Sequence, residues 1–391
     1  MALMNMAAVQ DALKNYYIDA VRYQMDVKAD PLMAMIEKTA DNIQGDKIVR
    51  YLRYGKNGGV ASSADDAAMP ASGARKGQQI TTGTKNVFGR LELTDKVIKA
   101  TQGSRGSFIS YLETQMEELL ADAKENVARQ VHGDGSGVIC TASGWVGKVI
   151  TLTSADSSNL LYEGMLIDMF SADGNTQKLT ASEITIVDRV AGTITVKDTP
   201  SGTTAAGELI TVQSSKGNEL TGLKKILTAD NIIYGVDRAT NKWFNPNIIN
   251  VGGAIEEITI QKGIDTTEIR SGKTPDFLMA SYGVKRAYMD YMLTYKRNTN
   301  TLDVKGGFKA VDFNGIPMVN SKYRTAGSLA LLDTSAFKMD RLEDWSFIDE
   351  NGSILTRVTG YAKYEAILAM YADLVCDLAG AQTYMYGITE A

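Results

Sequence analysis

A glycine-rich stretch between two extended segments constrains the fold of this chain more than any other feature. Residues 55 to 83 contain six glycines among Ala, Ser, Asp and Lys, and they are too poor in large apolar groups to bury a core. Patterns typical of strands lie on either side, at residues 47 to 54 and at Gln78 to Leu93. We therefore predict a long hairpin arm over residues 45 to 95. Because an isolated two-stranded ribbon is marginal in water, the arm must lie on its own body or on a neighbouring subunit.

A long amphipathic helix is predicted next, over residues 107 to 132. Its apolar side chains recur at spacings of three and four, with Ser107 as a suitable N-cap and Gly133 just past the end. At 1.5 Å per residue it would be about 39 Å long, well above the usual length of globular helices. Its opposite face is either solvated or receives a basic partner, and it carries Glu113, Glu117, Glu118, Asp122 and Glu125. The basic residues of the arm are Lys47, Arg50, Arg53 and Lys56.

The remaining segments predict a mixed α+β chain. Period-two segments over residues 144 to 215 predict a small all-β module, and we interpret it as an insertion because mixed patterns continue on both sides. Residues 8 to 42 are predicted to be helical, divided into two helices at Pro31. A further helix is predicted from Asn245 through Ile258, followed by a strand at Phe277 to Ala280. Another helix capped by Ser281 and several strands complete the predicted domain.

Length and charge limit the class of protein. A chain of 391 residues is long enough for two or three structural units. The net charge of −5 argues against general nucleic-acid binding through a basic face, so packaged DNA would be contacted only non-specifically. No stretch approaches the roughly 20 apolar residues that cross a bilayer, and the N-terminus lacks the features of a secretory signal.

The residues that usually carry chemistry are sparse. His132 is the single histidine, which excludes multi-histidine metal sites, and we expect it to interact with the last carbonyls of the long helix. Cys140 and Cys376 are far apart in apolar surroundings and are predicted to be buried, reduced thiols. The Ser-Gly-Lys-Thr run at 271 to 274 lacks the first glycine of a phosphate-binding loop. The sequence therefore predicts no catalytic residue, cofactor or metal, and no enzymatic activity.

The order of these segments resembles the major capsid protein family of tailed bacteriophages. The stretches that carry the resemblance are Leu91–Lys96, Gln130–Gly137, Gly222–Leu223, Thr274–Ala280, Phe313–Val319 and Leu329–Asp333. The resemblance implies the Hong Kong 97-type fold. Its parts would be an N-terminal arm (1–44), an extended loop or E-loop (45–95), a peripheral domain (96–138) with spine helix 107–132, an inserted β domain (144–215), and an axial domain with the remaining peripheral strands (222–391).

The resemblance also implies a function. The chain would self-assemble as hexamers and pentamers into the icosahedral head of a tailed phage enclosing double-stranded DNA, in the cytoplasm of the host bacterium. Since the arm begins almost at Met1, a separate scaffolding protein is expected, together with a portal and possibly a decoration protein. Lys47, Arg50, Arg53 and Lys56 would then approach Glu113, Glu117, Glu118 and Asp122 of a neighbouring spine helix. The alternatives are an encapsulin-type compartment shell and, more distantly, a phage tail adhesin or hydrolase.

Overall fold

A computed structural model describes residues 30–66, 68–96, 105–295, 301–304, 308–349 and 355–391. The helices are α1 (Pro31–Met35), α2 (Arg105–His132), α3 (Leu223–Ile226), α4 (Glu257–Ser271) and α5 (Tyr282–Tyr295). The strands are β1 (Glu37–Thr39), β2 (Ile43–Gln44), β3 (Lys47–Arg53), β4 (Gly77–Gly83), β5 (Lys85–Thr94), β6 (Val138–Val146), β7 (Val149–Leu152), β8 (Leu166–Phe170), β9 (Gln177–Asp188), β10 (Thr193–Val196), β11 (Glu208–Val212), β12 (Ile232–Ile233), β13 (Val236–Asp237), β14 (Asn247–Gly253), β15 (Phe277–Ala280), β16 (Thr301–Val304), β17 (Phe308–Phe313), β18 (Ile316–Asn320), β19 (Leu329–Leu332), β20 (Phe337–Phe347), β21 (Thr356–Arg357), β22 (Lys363–Cys376) and β23 (Thr383–Ile388).

The first described segment is less helical than its sequence indicates. Residues 8 to 29 of the predicted helical arm lie outside the described residues. Helix α1 begins at Pro31, as predicted, with Asp30 as its N-cap accepting a hydrogen bond from the Leu32 amide at 2.8 Å. The helix predicted to continue to residue 42 is wrong, because β1 instead pairs in parallel with β20. Pairing with a distant strand thus overrides the local helical pattern.

Helix α2 packs on a sheet made of distant segments. Strand β22 is its long central element, pairing antiparallel with β20, with β21 and with β5, while β1 lies at the edge. Ala123, Val127 and Val131, four residues apart, form the buried stripe of α2 in the main core. Strand β5 contributes Val87 and Leu91 to the same core. The helix is described from Arg105, so residues 105 and 106 before the predicted start are already helical, and it ends at His132 as predicted.

A seven-stranded sheet forms the second layer, in the order β14-β23-β19-β15-β18-β17-β16. Helices α4 and α5 cover one face with Ile260, Ile264 and Tyr288, and the other face joins the main core. The helix predicted from Asn245 is wrong at its start, because Asn247–Gly253 is strand β14, paired in parallel with β23. The run Ile-Ile-Asn-Val suits a strand, and the helix begins only at Glu257.

The predicted β module is a closed barrel with strand order β10-β7-β6-β11-β8-β9. Its interior is filled by fully buried side chains such as Ile150, Ile167 and Ile194. The chain leaves α2 and returns to the same place, since the Gly217 amide donates to the Ser136 carbonyl at 2.8 Å. A Cβ added at Gly222 would lie 2.3 Å from the Gly133 carbonyl oxygen, so this crossing needs glycine.

The arm is shorter than predicted. Strands β3 and β4 pair from Lys47↔Gly83 to Arg53↔Gly77, and β2 adds a third strand at the base. The predicted second strand from Gln78 to Leu93 divides at Thr84, because β5 pairs with β22 in the body. Among the described residues, none of the helices combines the length and the apolar character that crossing a membrane requires.

Candidate assembly interface

The base of the arm is held by a buried ion cluster within the same chain. Arg50 donates to both oxygens of Asp340, from Nε to Oδ2 at 2.9 Å and from Nη2 to Oδ1 at 2.6 Å. Its Nη1 donates to Asp377 Oδ2 at 2.7 Å. Asp340 is fully buried and Arg50 is 9% exposed. A bidentate guanidinium–carboxylate pair with this burial fixes both the position and the direction of β3.

Arg50 therefore does not act as we expected from the sequence. On β3 the side chains of Ile48, Arg50 and Leu52 face the body, while Lys47 and Arg53 are exposed. The alternation of the strand places Arg50 on the buried face, where its two carboxylate partners come from β20 and from the residue after β22. Arg50 is therefore not available to pair with an acid of a neighbouring helix.

Two further contacts tie the arm to the body. The Tyr54 ring stacks on Trp243 with centroids 4.3 Å apart and planes 9° from parallel. Across the hairpin, the Thr81 amide donates to the Tyr234 carbonyl at 3.0 Å, and the Thr82 hydroxyl donates to Asp373 Oδ2 at 2.8 Å. Burial raises the pKa of Asp373 to about 6, although several donated hydrogen bonds oppose the rise. The arm is therefore fixed as far as Tyr54.

Beyond Tyr54 the arm is exposed. The segment from 56 to 76 is solvent-exposed at nearly every described position, and Val60 and Met69 are 84% and 91% exposed. Gly59 and Gly73 allow its two sides to approach, since a Cβ on Gly59 would lie 2.6 Å from the Gly73 nitrogen. Within the described part of the chain, no ion pair involves the exposed bases Lys47, Arg53, Lys56, Arg75 and Lys76. The tip thus presents cations and apolar side chains that its own body does not cover.

The acidic face of α2 is the second half of the candidate interface. Glu118 and Asp122 lie on the surface, and partial burial, Glu125 and Glu118 together raise the pKa of Asp122. Glu125 pairs with Lys322. The side chains of Glu113 and Glu117 lie outside the described residues. Because partial burial and neighbouring negative charges raise the pKa of Asp122, a cation from another molecule would stabilise the charged form of this carboxylate.

No ion pair joins the two sets of charges among the described residues of a single chain. Glu118 and Asp122 contact neither Arg53 nor Lys56. The basic tip and the acidic face are both available to another molecule.

His132 also has a role that the sequence did not indicate. Its Nε2 lies 3.0 Å from Asp30 Oδ2, and its ring stacks on Tyr323. Burial tends to raise the pKa of Asp30. His132 and the amides of Leu32 and Met33 outweigh this effect and hold the pKa below its ordinary value. The expected interaction with the last carbonyls of α2 is therefore replaced by a contact with the segment before α1.

The remaining candidates for chemistry are the two cysteines and clusters of possible metal ligands. Cys140 and Cys376 are free and buried, as predicted, and burial raises the pKa of the Cys140 thiol to about 12. In the described parts of the chain, no group of three His, Cys, Asp or Glu side chains is placed to hold a metal ion.

Comparison with solved structures identifies the fold. The chain matches a subunit of the cyanophage A-1(L) capsid with a TM-score of 0.58 and 10% identity, over 93% of this chain and 94% of that one. The Hong Kong 97-type capsid fold is thereby established for this chain. A capsid subunit of an empty GTA particle matches with a TM-score of 0.51 and 8% identity, over 93% and 91%. The holo-SrpI encapsulin of Synechococcus elongatus PCC 7942 has a TM-score of 0.46 and 10% identity, over 99% and 96%. No family model and no curated protein matches the sequence.

The α+β class and the capsid fold expected from the sequence are thus confirmed. What sequence reasoning missed is the anchoring of the arm by Asp340, Asp373 and Asp377. A signal was present, because Asp373 and Asp377 flank an apolar run within Ala-Asp-Leu-Val-Cys-Asp-Leu-Ala. Charged residues in such a run are seldom buried unless they are paired.

Proposed function

We propose that this chain is the major capsid protein of a tailed phage, assembling as hexamers and pentamers into an icosahedral head around double-stranded DNA. The observation that carries the proposal, beyond the capsid fold itself, is the arm. Its base is locked to the body through Arg50, whereas its tip exposes Val60, Met69 and several bases with no partner in the described residues. Such a tip is explained if it lies on another subunit.

The contact would be heterologous. The tip of one subunit lies on the α2 surface of the next, with Arg53 and Lys56 near Glu118 and Asp122 and, on the same helix, Glu113 and Glu117. Contacts of this kind close into rings when the rotation allows it. Each exposed pair contributes about 0 to 1 kcal/mol, so stability comes from many pairs and from the apolar tip.

The segments receive their family roles in this proposal. We assign residues 1–44 to the N-terminal arm, 96–138 to the peripheral domain with the spine helix, and 222–391 to the axial domain with further peripheral strands. Residues 45–95 are assigned to the E-loop, of which the last strand, β5, pairs with β22 in the body. The barrel is the inserted domain. Its chain enters and leaves beside Gly133 and Gly222, as expected of a module added at one point. The subunit would act without enzymatic activity or cofactor, with a scaffolding protein, a portal and possibly a decoration protein as partners.

The proposal is tested by charge reversal on the exposed face of the arm, at the end of β3 and the start of the tip. Arg53→Glu combined with Lys56→Glu should reduce the yield of shells, because both exposed cations would then repel the acidic face of the neighbouring α2. Lys148→Glu, in the exposed turn between β6 and β7, is the matched control and should assemble normally. Electron microscopy and sedimentation measure the yield, and circular dichroism confirms that the helix content is unchanged.

Normal shells from the Arg53/Lys56 variant would contradict the proposed contact. The contents of native particles separate the two shell functions: nuclease-protected DNA is expected for a phage head, whereas packaged enzymes would show an encapsulin-type compartment.

A further inference from the structure

Arg324 is a cation that pairs with no carboxylate of the described residues. It lies in the loop between β18 and β19, and its Nε is buried without a hydrogen bond. Its side chain forms no ion pair with any residue that the structure describes, and its guanidinium lies over the Tyr384 ring, 5.4 Å from the centroid. Burial lowers the pKa of Arg324 to about 10. Arg324 is half-buried and its buried Nε has no hydrogen bond, so this residue is suited to a carboxylate partner from outside.

Arg324 lines a cleft of about 320 Å³. Its walls are the end of α2, the 3-10 helix Ala155–Leu160 of the barrel, and the loop that holds Arg324. Of the other basic residues on the walls, Lys224 lies 3.3 Å from Asp134 Oδ2, and Arg129, His132 and Lys322 lie against Glu219, Asp30 and Glu125. Arg324 is the one basic residue of this lining that has no carboxylate among the described residues.

Asp156 is an alternative partner for Arg324 within the same chain. It lines the same cleft, is exposed, and forms no ion pair with Arg324 or with another described cation. Its carboxylate therefore does not satisfy Arg324 in this structure.

The tip of the arm carries the complementary group. Asp65 and Asp66 are adjacent, exposed and without a partner in the described part of the chain. Ala and Ser surround them, so the two carboxylates are carried on a narrow segment that a cleft of this size can admit.

The chain between the bases and the acids of the arm is long enough to reach from the acidic face of α2 to the cleft. Nine residues separate Lys56 from Asp65, which allows a span of up to about 30 Å. Ten residues of α2 separate Asp122 from His132 at the cleft, a distance of about 15 Å. A tip whose bases lie over the acidic face can therefore place its acids at Arg324.

We propose that the cleft at Arg324 receives Asp65 and Asp66 from the arm of a second copy of this chain. The arm then runs along α2 with its tip toward the C-terminal end of the helix. This rests on the proposed function, because it requires the arm to lie on a neighbour, and it adds the direction and the residue that receives the tip.

A charge swap tests the pairing. Arg324→Glu alone, and Asp65→Lys with Asp66→Lys, should each lower the shell yield at least tenfold, and combining them should restore at least half of it. Asp156→Asn should assemble like wild type. Thermal unfolding of unassembled subunits checks that each variant folds, and Arg324→Lys, which keeps the charge, should retain part of the yield.

Two results would overturn the inference. The first is a wild-type yield of shells from Arg324→Glu alone or from Asp65→Lys with Asp66→Lys. The second is no recovery of the yield when these changes are combined, although all the variants fold. Loss of assembly in Asp156→Asn equal to that in Arg324→Glu would show that Asp156 is the partner. If the Arg324 variants fail but Asp65→Asn with Asp66→Asn assembles normally, the occupant is a different anion.

Disulfide trapping tests the direction. Asp66→Cys combined with Thr325→Cys places one thiol on the tip and one beside Arg324, and both native cysteines are buried. Oxidised shells should give a ladder of linked chains on a non-reducing gel, whereas either single-cysteine variant should not. A bond within one chain, or no ladder from intact shells, would refute the placement. Absence of any shell from the wild type would instead contradict the proposed function.

Discussion

Removal of the Arg50 guanidinium tests how the base of the arm is anchored to the body, apart from any contact that the arm makes with a neighbour. In Arg50→Met, Asp340 keeps its place with 0% exposure but loses a bidentate partner at 2.6 and 2.9 Å. Breaking a buried pair in this way costs about 3 to 5 kcal/mol, since one charge stays buried and uncompensated. Domains are stable by only about 5 to 15 kcal/mol, so the loss is a large fraction of the total.

Equilibrium unfolding of the unassembled subunit in urea, followed by tryptophan fluorescence, measures the effect. Trp243 stacks on Tyr54 of the arm and Trp345 is buried in the main core, so both report on the affected region. Arg53→Met, on the exposed face of the same strand, should change the free energy of unfolding by no more than about 0.5 kcal/mol.

Combining Arg50→Met with Asp340→Leu should recover most of the lost stability, because neither member of the pair then remains unpaired. A loss below about 1 kcal/mol in Arg50→Met, or a double variant no more stable than the single one, would refute the anchoring role.

Two further predictions concern the same region. Asp373 has a pKa of about 6 in the folded chain, above its unfolded value, so its contribution to stability is greatest at low pH and is lost as the pH rises. The difference in unfolding free energy between wild type and Asp373→Asn should therefore fall by about 2 kcal/mol from about pH 4.5 to about pH 7, and a constant difference would contradict the shift. Gly222→Ala should lower the free energy of unfolding by about 1 to 3 kcal/mol, because the new methyl group meets the Gly133 carbonyl. In the control Gly83→Ala the new methyl group meets nothing within 4 Å. Equal thermal stability of the two variants would contradict the close crossing.

Local patterns predicted the elements whose stability is local. Helix α2 was recognised because its buried residues Ala123, Val127 and Val131 repeat at the helical period. The barrel was recognised from its alternating strands, although it begins at Val138 instead of residue 144. Both signals arise within one element and need no knowledge of its neighbours.

The features that failed depend on distant partners. Arg50 and Asp340 are 290 residues apart, and no local pattern distinguishes a cation that faces a buried carboxylate from one that faces solvent. The segment that contains β14 predicts a helix because Ile248, Val251 and Ile255 fit a helical spacing, yet the pairing of β14 with β23 decides the conformation. The contact of His132 with Asp30 likewise joins segments 102 residues apart.

The most direct test of the self-assembling shell subunit is electron microscopy of the particles formed when this chain is expressed, alone and with its genomic neighbours. We predict closed icosahedral shells built from hexamers and pentamers, with an arm of each subunit crossing the α2 helix of the next. A protein that remains a folded monomer under all these conditions, and forms neither rings nor shells, would contradict the account.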